Sequence, residues 1–281
     1  MILITGATGM VGGEVLRLLV ERGEVVRAVV RGVGPRPEGV EVVRADFDLA
    51  ESVGQAVVGV EALFLLTAPA VPSAGHDVVV VEAARRAGVG KVVKLSAIGS
   101  GEVVGGRVVG SWHVEAERVV RGSGMAWTVL RPSAFASNFL RYAGLVRGGL
   151  PVPNLTGAAR QGVVDPRDVA AVAVEALVSS VHDGRTYELT GPEVLSVPEQ
   201  AAILGEALGG VVGTVDVSAD AARADMLGRG VDPLAVEAVL TGVEWARGGG
   251  NAVVTEDVRS VLGRAARGFA EWVGDHVAAF R

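Results

Sequence analysis

The chain begins MILITGATGMVGG, and no later stretch constrains the fold as strongly. Ile2 to Ile4 form a short apolar run that reads as a strand. Gly6-x-x-Gly9-x-x-Gly12 follows at once. The next residues place Val11, Val15, Leu18 and Leu19 at helical spacing, with Gly23 as a stop. Strand, glycine turn and helix in that order make the first half of a βαβ unit, which requires a parallel sheet. Gly6 permits a tight turn, Gly9 lets backbone amides approach a ligand, and Gly12 lets the helix pack closely on the strand.

The rhythm continues. EVVRAVV, VEVVRAD and EALFLLT read as strands two to four, HDVVVVEAARRAGV as a helix and KVVKLSA as strand five. SWHVEAERVVRGSG is a helix and MAWTVLRP strand six. Strands rich in Val, Ile and Leu that alternate with helices predict an α/β doubly wound parallel sheet covered on both faces. After about residue 150 the pattern changes. A helix is predicted over DPRDVAAVAVEALVS, with Asp165 as its cap and Pro166 in its first turn. One more strand, about 185–190, is expected to return to the sheet, and mainly helical segments follow. The expected division is a Rossmann domain over 1–150 and, over 151–281, an interleaved C-terminal portion with a smaller, mainly helical substrate lobe.

Composition removes several classes of function. With 49% hydrophobic residues the 281-residue chain can bury a sizeable core. A net charge of -6 without a basic run argues against nucleic acid as a partner. There is no cysteine, so disulfides, thiolate metal sites and a cysteine nucleophile are excluded. His76, His113, His182 and His276 have no metal-binding spacing, and no G-x-S-x-G elbow is present. The apolar stretch 62–71 is too short to span a bilayer. A cytoplasmic protein without membrane contact is the expectation, with a monomer and a homodimer both open.

The glycine motif in this context predicts a dinucleotide cofactor, its pyrophosphate at the helix N-terminus. No Asp or Glu stands at the end of strand two to bind a ribose 2′-hydroxyl. Arg31 stands there, with Arg36 close behind, and a guanidinium suits a 2′-phosphate, so the expected cofactor is NADP(H). Asp46 ends strand three, where adenine could be hydrogen-bonded. Asp48 and Glu51 fit a capping box.

TGATGMVGG, VRAVVR, RADFD, KVVKLSA and WTVLRPSAFASNF together resemble the NmrA-like branch of the atypical short-chain dehydrogenase/reductases, which includes NAD(P)H quinone oxidoreductases and azoreductase-like proteins. GVVDPRDVAAVAVEAL and the closing TEDVRSVLGR extend the resemblance over nearly the whole chain. The resemblance implies that Gly6, Thr8, Gly9, Met10, Val11 and Gly12 line the pyrophosphate, that Arg31 meets the 2′-phosphate, and that Asp46 and Phe47 flank adenine. It puts Thr67, Ala68, Pro69 and Ser96 near the nicotinamide ribose and Pro132, Ser133 and Ala134 near the nicotinamide. Phe135 and Asn138 would then face substrate.

One departure matters. The wider superfamily uses Tyr-x-x-x-Lys as acid and ribose anchor. Neither Tyr142 nor Tyr187 has a lysine four residues on, and the lysines are Lys91 and Lys94 alone. Alignment puts Val109 at the tyrosine position and His113 at the lysine position. His113 precedes Glu117 by one helical turn and is the candidate proton donor, with Ser96 the second catalytic candidate. Two functions fit. One is an NADPH-dependent oxidoreductase that passes hydride to a quinone-like or other conjugated aromatic or carbonyl acceptor without a Tyr-Lys pair. The other is a non-catalytic NADP(H)-sensing regulatory protein.

Overall fold

A computed structural model describes residues 1–30, 32 and 38–281. Its elements follow the alternation read from the sequence. They are β1 (Ile2–Ile4), α1 (Met10–Glu21), β2 (Val26–Val30), β3 (Val40–Arg44), α2 (Ala50–Ala56), β4 (Ala62–Leu65), α3 (Gly75–Arg86), β5 (Lys91–Leu95), α4 (Ser111–Arg121) and β6 (Ala126–Pro132). Then come α5 (Ala143–Arg147), α6 (Pro166–Val178), β7 (Arg185–Leu189), α7 (Val197–Leu208), α8 (Ala219–Gly228), α9 (Pro233–Arg247), α10 (Asp257–Leu262) and α11 (Phe269–His276).

The seven strands form a parallel sheet in the order β7-β6-β5-β4-β1-β2-β3. β1 lies between β2 and β4, with Ile2 opposite both Val26 and Ala62. The chain runs outward from β1 to β3, then crosses back to place β4 on the other side of β1. A crevice opens beyond the carboxyl ends of the strands at such a reversal. The central strands are buried on both faces, as the uninterrupted ALFL of β4 shows.

The chain divides into two compact units, each built from three segments. One comprises Met1–Ala97, Ser111–Arg131 and Pro166–Tyr187. Its core joins Leu3, Leu63, Leu65 and Val92 of the sheet to Val80, Val81 and Ala84 of α3 and Val120 of α4. Helix α6, in which eight of thirteen residues are Ala or Val, packs against α1. The second unit comprises Ile98–Gly110, Pro132–Asp165 and Glu188–Arg281. Its core gathers Phe139, Leu204, Phe269, Trp272 and Phe280, with the Phe269 and Trp272 rings stacked at 5.6 Å.

Two local features differ from the sequence reading. Val103–Val104 and Arg107–Val108 form a two-stranded hairpin, with Gly105 and Gly106 at φ +56° and +75°. Paired positive φ values at two turn residues are what a tight hairpin needs, so the VVGGRVV pattern carried the signal. The Asp48–Glu51 capping box does not form. Leu49 caps α2 and no side chain bonds its first amides. The Asp48 carboxylate instead lies 2.9 Å from His76 Nε2. Val109 lies before α4 begins, and its N–H donates to the Glu102 carbonyl.

Candidate functional site

The glycine turn is held from below by Thr5, which is fully buried. Its Oγ1 donates to the Leu66 carbonyl at 2.9 Å and accepts the Leu66 N–H at 2.7 Å, tying the end of β1 to the end of β4. Gly6 has φ +66°, and a Cβ there would stand 2.8 Å from the Leu66 side chain. A Cβ on Gly12 would stand 2.2 Å from the Gly6 carbonyl oxygen, so only glycine lets α1 sit this close to the turn. Gly9 is different. A Cβ there would meet only the Gly6 oxygen at 3.4 Å, an ordinary contact. Packing within the chain does not require glycine at position 9, whereas close approach of a ligand would. Gly9 is also the N-cap of α1, with no capping side chain and no acid in the first turn. The helix therefore starts without a side-chain acceptor for its amides, which suits an anion.

A cavity of about 270 Å³ opens on this turn. Gly6, Thr8 and Gly9 form one wall, Asp46 and Phe47 another, and Ala68 a third. The structure thus brings together six of the cofactor residues named from the sequence, while Met10, Val11 and Gly12 open α1 beside them. Thr67 and Pro69 flank Ala68. Arg31 and Arg36 lie outside the described residues. Asp46 also braces its own loop. Its Oδ1 accepts the Asp48 N–H at 3.0 Å, and its own N–H donates to Ser52 Oγ. His76, from the first turn of α3, also lines the cavity, its ring edge-on to Phe47 at 5.7 Å. The sequence reading gave His76 no role here. A histidine in the first turn of the helix after β4 was the available signal.

Two buried polar groups lie beyond β4 and β5. Lys94, 1% exposed between Val93 and Leu95 of β5, pairs with Asp77 Oδ1 of α3 at 2.8 Å. Thr67 Oγ1 donates to the other Asp77 oxygen at 2.7 Å. Ser96 Oγ donates to Glu117 Oε1 at 2.6 Å. Arg131 grips Glu117 with two hydrogen bonds of 2.9 and 2.8 Å, and Arg121 pairs with Glu117 Oε2 at 2.8 Å. Burial pushes the Glu117 carboxyl up, but the hydrogen bonds from Arg131 and Ser96 and the two guanidinium charges outweigh it and hold it below the usual range.

His113 lies one turn before Glu117 on α4 and is half-buried. Its Nδ1 is buried with no hydrogen-bond partner. Desolvation, aided by the Lys94 and Arg131 charges and opposed by Asp77 and Glu117, pushes its pKa down to about 4. At neutral pH the imidazole is uncharged.

The later residues belong to the second unit. Ser133 is buried, its N–H donating to the Leu189 carbonyl and its Oγ to Asn251 Oδ1 at 2.7 Å. Pro132 is buried and Ala134 partly so, the Ala134 carbonyl accepting the Val164 N–H. Phe135 is half-buried and bridges Val164, while Asn138 is exposed in a 3-10 turn. Trp245 packs over Gly99 and Gly250, where a Cβ would approach its ring to 2.5 and 2.2 Å. Among the described residues no group of three or more His, Asp or Glu could hold a metal ion, and no helix is long and apolar enough to cross a membrane.

A family model described as NAD(P)H-binding matches residues 6–180. The chain is 40% identical to the (4-alkanoyl-5-oxo-2,5-dihydrofuran-3-yl)methyl phosphate reductase of Streptomyces griseus, over 100% of this chain and 99% of that one. It is 36% identical to the NAD(P)H azoreductase of Xenophilus azovorans over the same shares. An NADPH-dependent quinone oxidoreductase of Escherichia coli, complexed with NADPH, superposes with a TM-score of 0.84 at 25% identity, over 98% of this chain and 99% of that one. The chain belongs to the NAD(P)H-binding, NmrA-like family of atypical short-chain dehydrogenase/reductases, and its homologues there are NAD(P)H-dependent reductases such as azoreductase and quinone oxidoreductase 2.

Proposed function

We propose that the protein is an NADPH-dependent reductase acting on a flat, conjugated acceptor such as a quinone, an azo compound or a conjugated carbonyl. The observation that carries this reading is a dinucleotide cradle joined to a site with no charged acid in the catalytic position. Gly9 is free of packing constraint and α1 starts uncapped, so the residues fit a pyrophosphate. Phe47 and His76 offer aromatic rings for adenine, with Asp46 beside them. Arg31, with Arg36, is the proposed contact for the 2′-phosphate. Thr67, Ala68, Pro69 and Ser96 are assigned to the nicotinamide ribose, Pro132, Ser133 and Ala134 to the nicotinamide, and Phe135 and Asn138 to the acceptor. When bound, the cofactor supplies hydride, and the protein supplies position.

His113 is neutral near pH 7 and no tyrosine replaces it, so proton delivery falls to water. That favours acceptors whose reduction needs little general-acid help. The relatives support the class: one is named a quinone oxidoreductase, another an azoreductase. The test is a panel of quinones and azo dyes mixed with protein and NADPH, followed by the absorbance of the reduced cofactor. Protein-dependent oxidation is expected. Tight NADPH binding without oxidation across the panel would favour the sensing role instead.

A further inference from the structure

The described walls of the cavity at the glycine turn carry the wrong charge for a dinucleotide, which brings a pyrophosphate and, in NADPH, a 2′-phosphate. Among the described residues that line it, Asp46 and Asp48 are acids and His76 is the one side chain that can become a cation. His76 Nε2 lies 2.9 Å from Asp48 Oδ1. An ionised carboxylate only accepts, so Nε2 carries the proton and Nδ1 of the neutral ring holds a lone pair. Both side chains reach water, with 27% of His76 and 80% of Asp48 exposed. A second proton from solvent goes onto Nδ1, leaves the Asp48 bond in place and adds one positive charge to the wall. The ring is also held against Phe47, edge-on at 5.7 Å, so that charge stays at the cavity.

The neighbouring described groups supply no other free cation. Asp77 follows His76 on α3 and is already paired with Lys94 of β5 at 2.8 Å. Helix α2, which packs on α3, has Glu51 in its first turn. On α4, His113 interacts with Asp77 and is uncharged at neutral pH. The loop from β4 to α3 has no charged residue. Histidine is the side chain whose charge changes between about pH 5 and 8. A polyanion beside it favours the charged form, and by linkage such a ligand binds more tightly as protons become plentiful. We propose that cofactor binding draws a proton onto His76, which then offsets the phosphate charge, and that Asp48 is the positioning residue that holds His76 at the wall. The proposal rests on a dinucleotide occupying this cavity and adds a proton-linked regulation of that site: cofactor affinity gains from His76 as the pH falls.

The test compares His76→Gln and Asp48→Asn with the wild-type protein. NADPH dissociation constants are measured by titration between about pH 6 and pH 8 at constant ionic strength. Proton uptake on binding is measured by calorimetry at the middle of that range, in two buffers of different ionisation heat. His76→Gln keeps an amide donor for Asp48 and never becomes charged. The 2′-phosphate itself titrates near pH 6, alike for both proteins, so the ratio of wild-type to variant affinity isolates His76. That ratio is expected to rise roughly fivefold from the alkaline to the acid end, the worth of one screened charge near several phosphate charges. The wild-type protein should take up more protons than His76→Gln. Asp48→Asn keeps an acceptor for Nε2 and removes one negative charge, so it should tighten NADPH binding at the alkaline end. If His76→Gln does not fold, His76→Asn gives the same ratio. The proposal is overturned if the ratio stays constant or falls with falling pH, if proton uptake is equal, or if Asp48→Asn binds NADPH no more tightly than wild type. A wild-type protein that binds no NADPH at any of these pH values would overturn the dinucleotide reading instead, so the two failures are told apart.

Discussion

Gly12 and Gly6 meet backbone to backbone: a Cβ on Gly12 would stand 2.2 Å from the Gly6 carbonyl oxygen, while one on Gly9 would have 3.4 Å. The two glycines of one motif thus have separable reasons to be glycine. Gly12→Ala should destabilise the fold by about 1–3 kcal/mol, because a methyl is forced into close-packed backbone. Gly9→Ala should leave the melting temperature nearly unchanged and weaken NADPH binding at least ~10-fold by crowding the cofactor. Thermal melts and NADPH titrations of both variants check this.

His113 should leave a mark on the pH dependence of stability. Its folded pKa, about 4, lies below the value of about 6.5 for a free histidine. Between these values the unfolded chain binds the proton and the folded chain does not. Stability from this group is therefore complete above pH ~6.5 and falls as pH drops toward 4, by on the order of 2 kcal/mol after allowance for partial exposure. Urea denaturation across that range should show a shallower acid loss for His113→Asn. Turnover of His113→Ala near pH 7 should stay within a few-fold of wild type, since a neutral imidazole is not the acid.

The Lys94–Asp77 pair is almost fully removed from water, with 1% and 3% of the two side chains exposed. Lys94→Met should cost about 3–5 kcal/mol by leaving the Asp77 carboxylate uncompensated. The double variant Lys94→Met with Asp77→Leu should recover most of that loss. A double-mutant cycle from denaturation midpoints measures it, and additive losses would show that the pair is not coupled.

The proposed contact of Arg31 with a 2′-phosphate would set the cofactor choice. Arg31→Ala should weaken NADPH binding at least ~10-fold and NADH binding little, because only NADPH has the 2′-phosphate that a guanidinium grips. Equal weakening of both cofactors, measured by titration, would remove the assignment.

Local signals in the sequence were enough for the sheet and the first turn. A glycine triplet between a Val/Ile/Leu strand and an amphipathic helix has few folds open to it, and the alternation of apolar strands with helices carried the doubly wound order. The polar groups behind the site were harder to read, because they join residues far apart in the chain. Glu117 on α4 meets Arg131 on β6 and Ser96 after β5, and no spacing rule links those three. Lys94 did carry a warning: a charged residue between Val93 and Leu95 of β5 needs a buried partner, but nothing local names Asp77 as that partner. Asp48 misled, since its pattern with Glu51 matched a capping box while the side chain met His76 across the cavity wall. The hairpin at Gly105 and Gly106 was missed, although its Gly-Gly turn carried the signal.

The central claim is direct hydride transfer to a conjugated acceptor without an acid at position 109 or 113. It is tested most directly by a single turnover with NADPH deuterated at the transferring position of the nicotinamide, mixed with protein and excess quinone. The account predicts protein-dependent loss of reduced cofactor, matched by hydroquinone formed and slower with deuterium than with hydrogen. Reduced cofactor that stays bound and unoxidised in the presence of the quinone would contradict it.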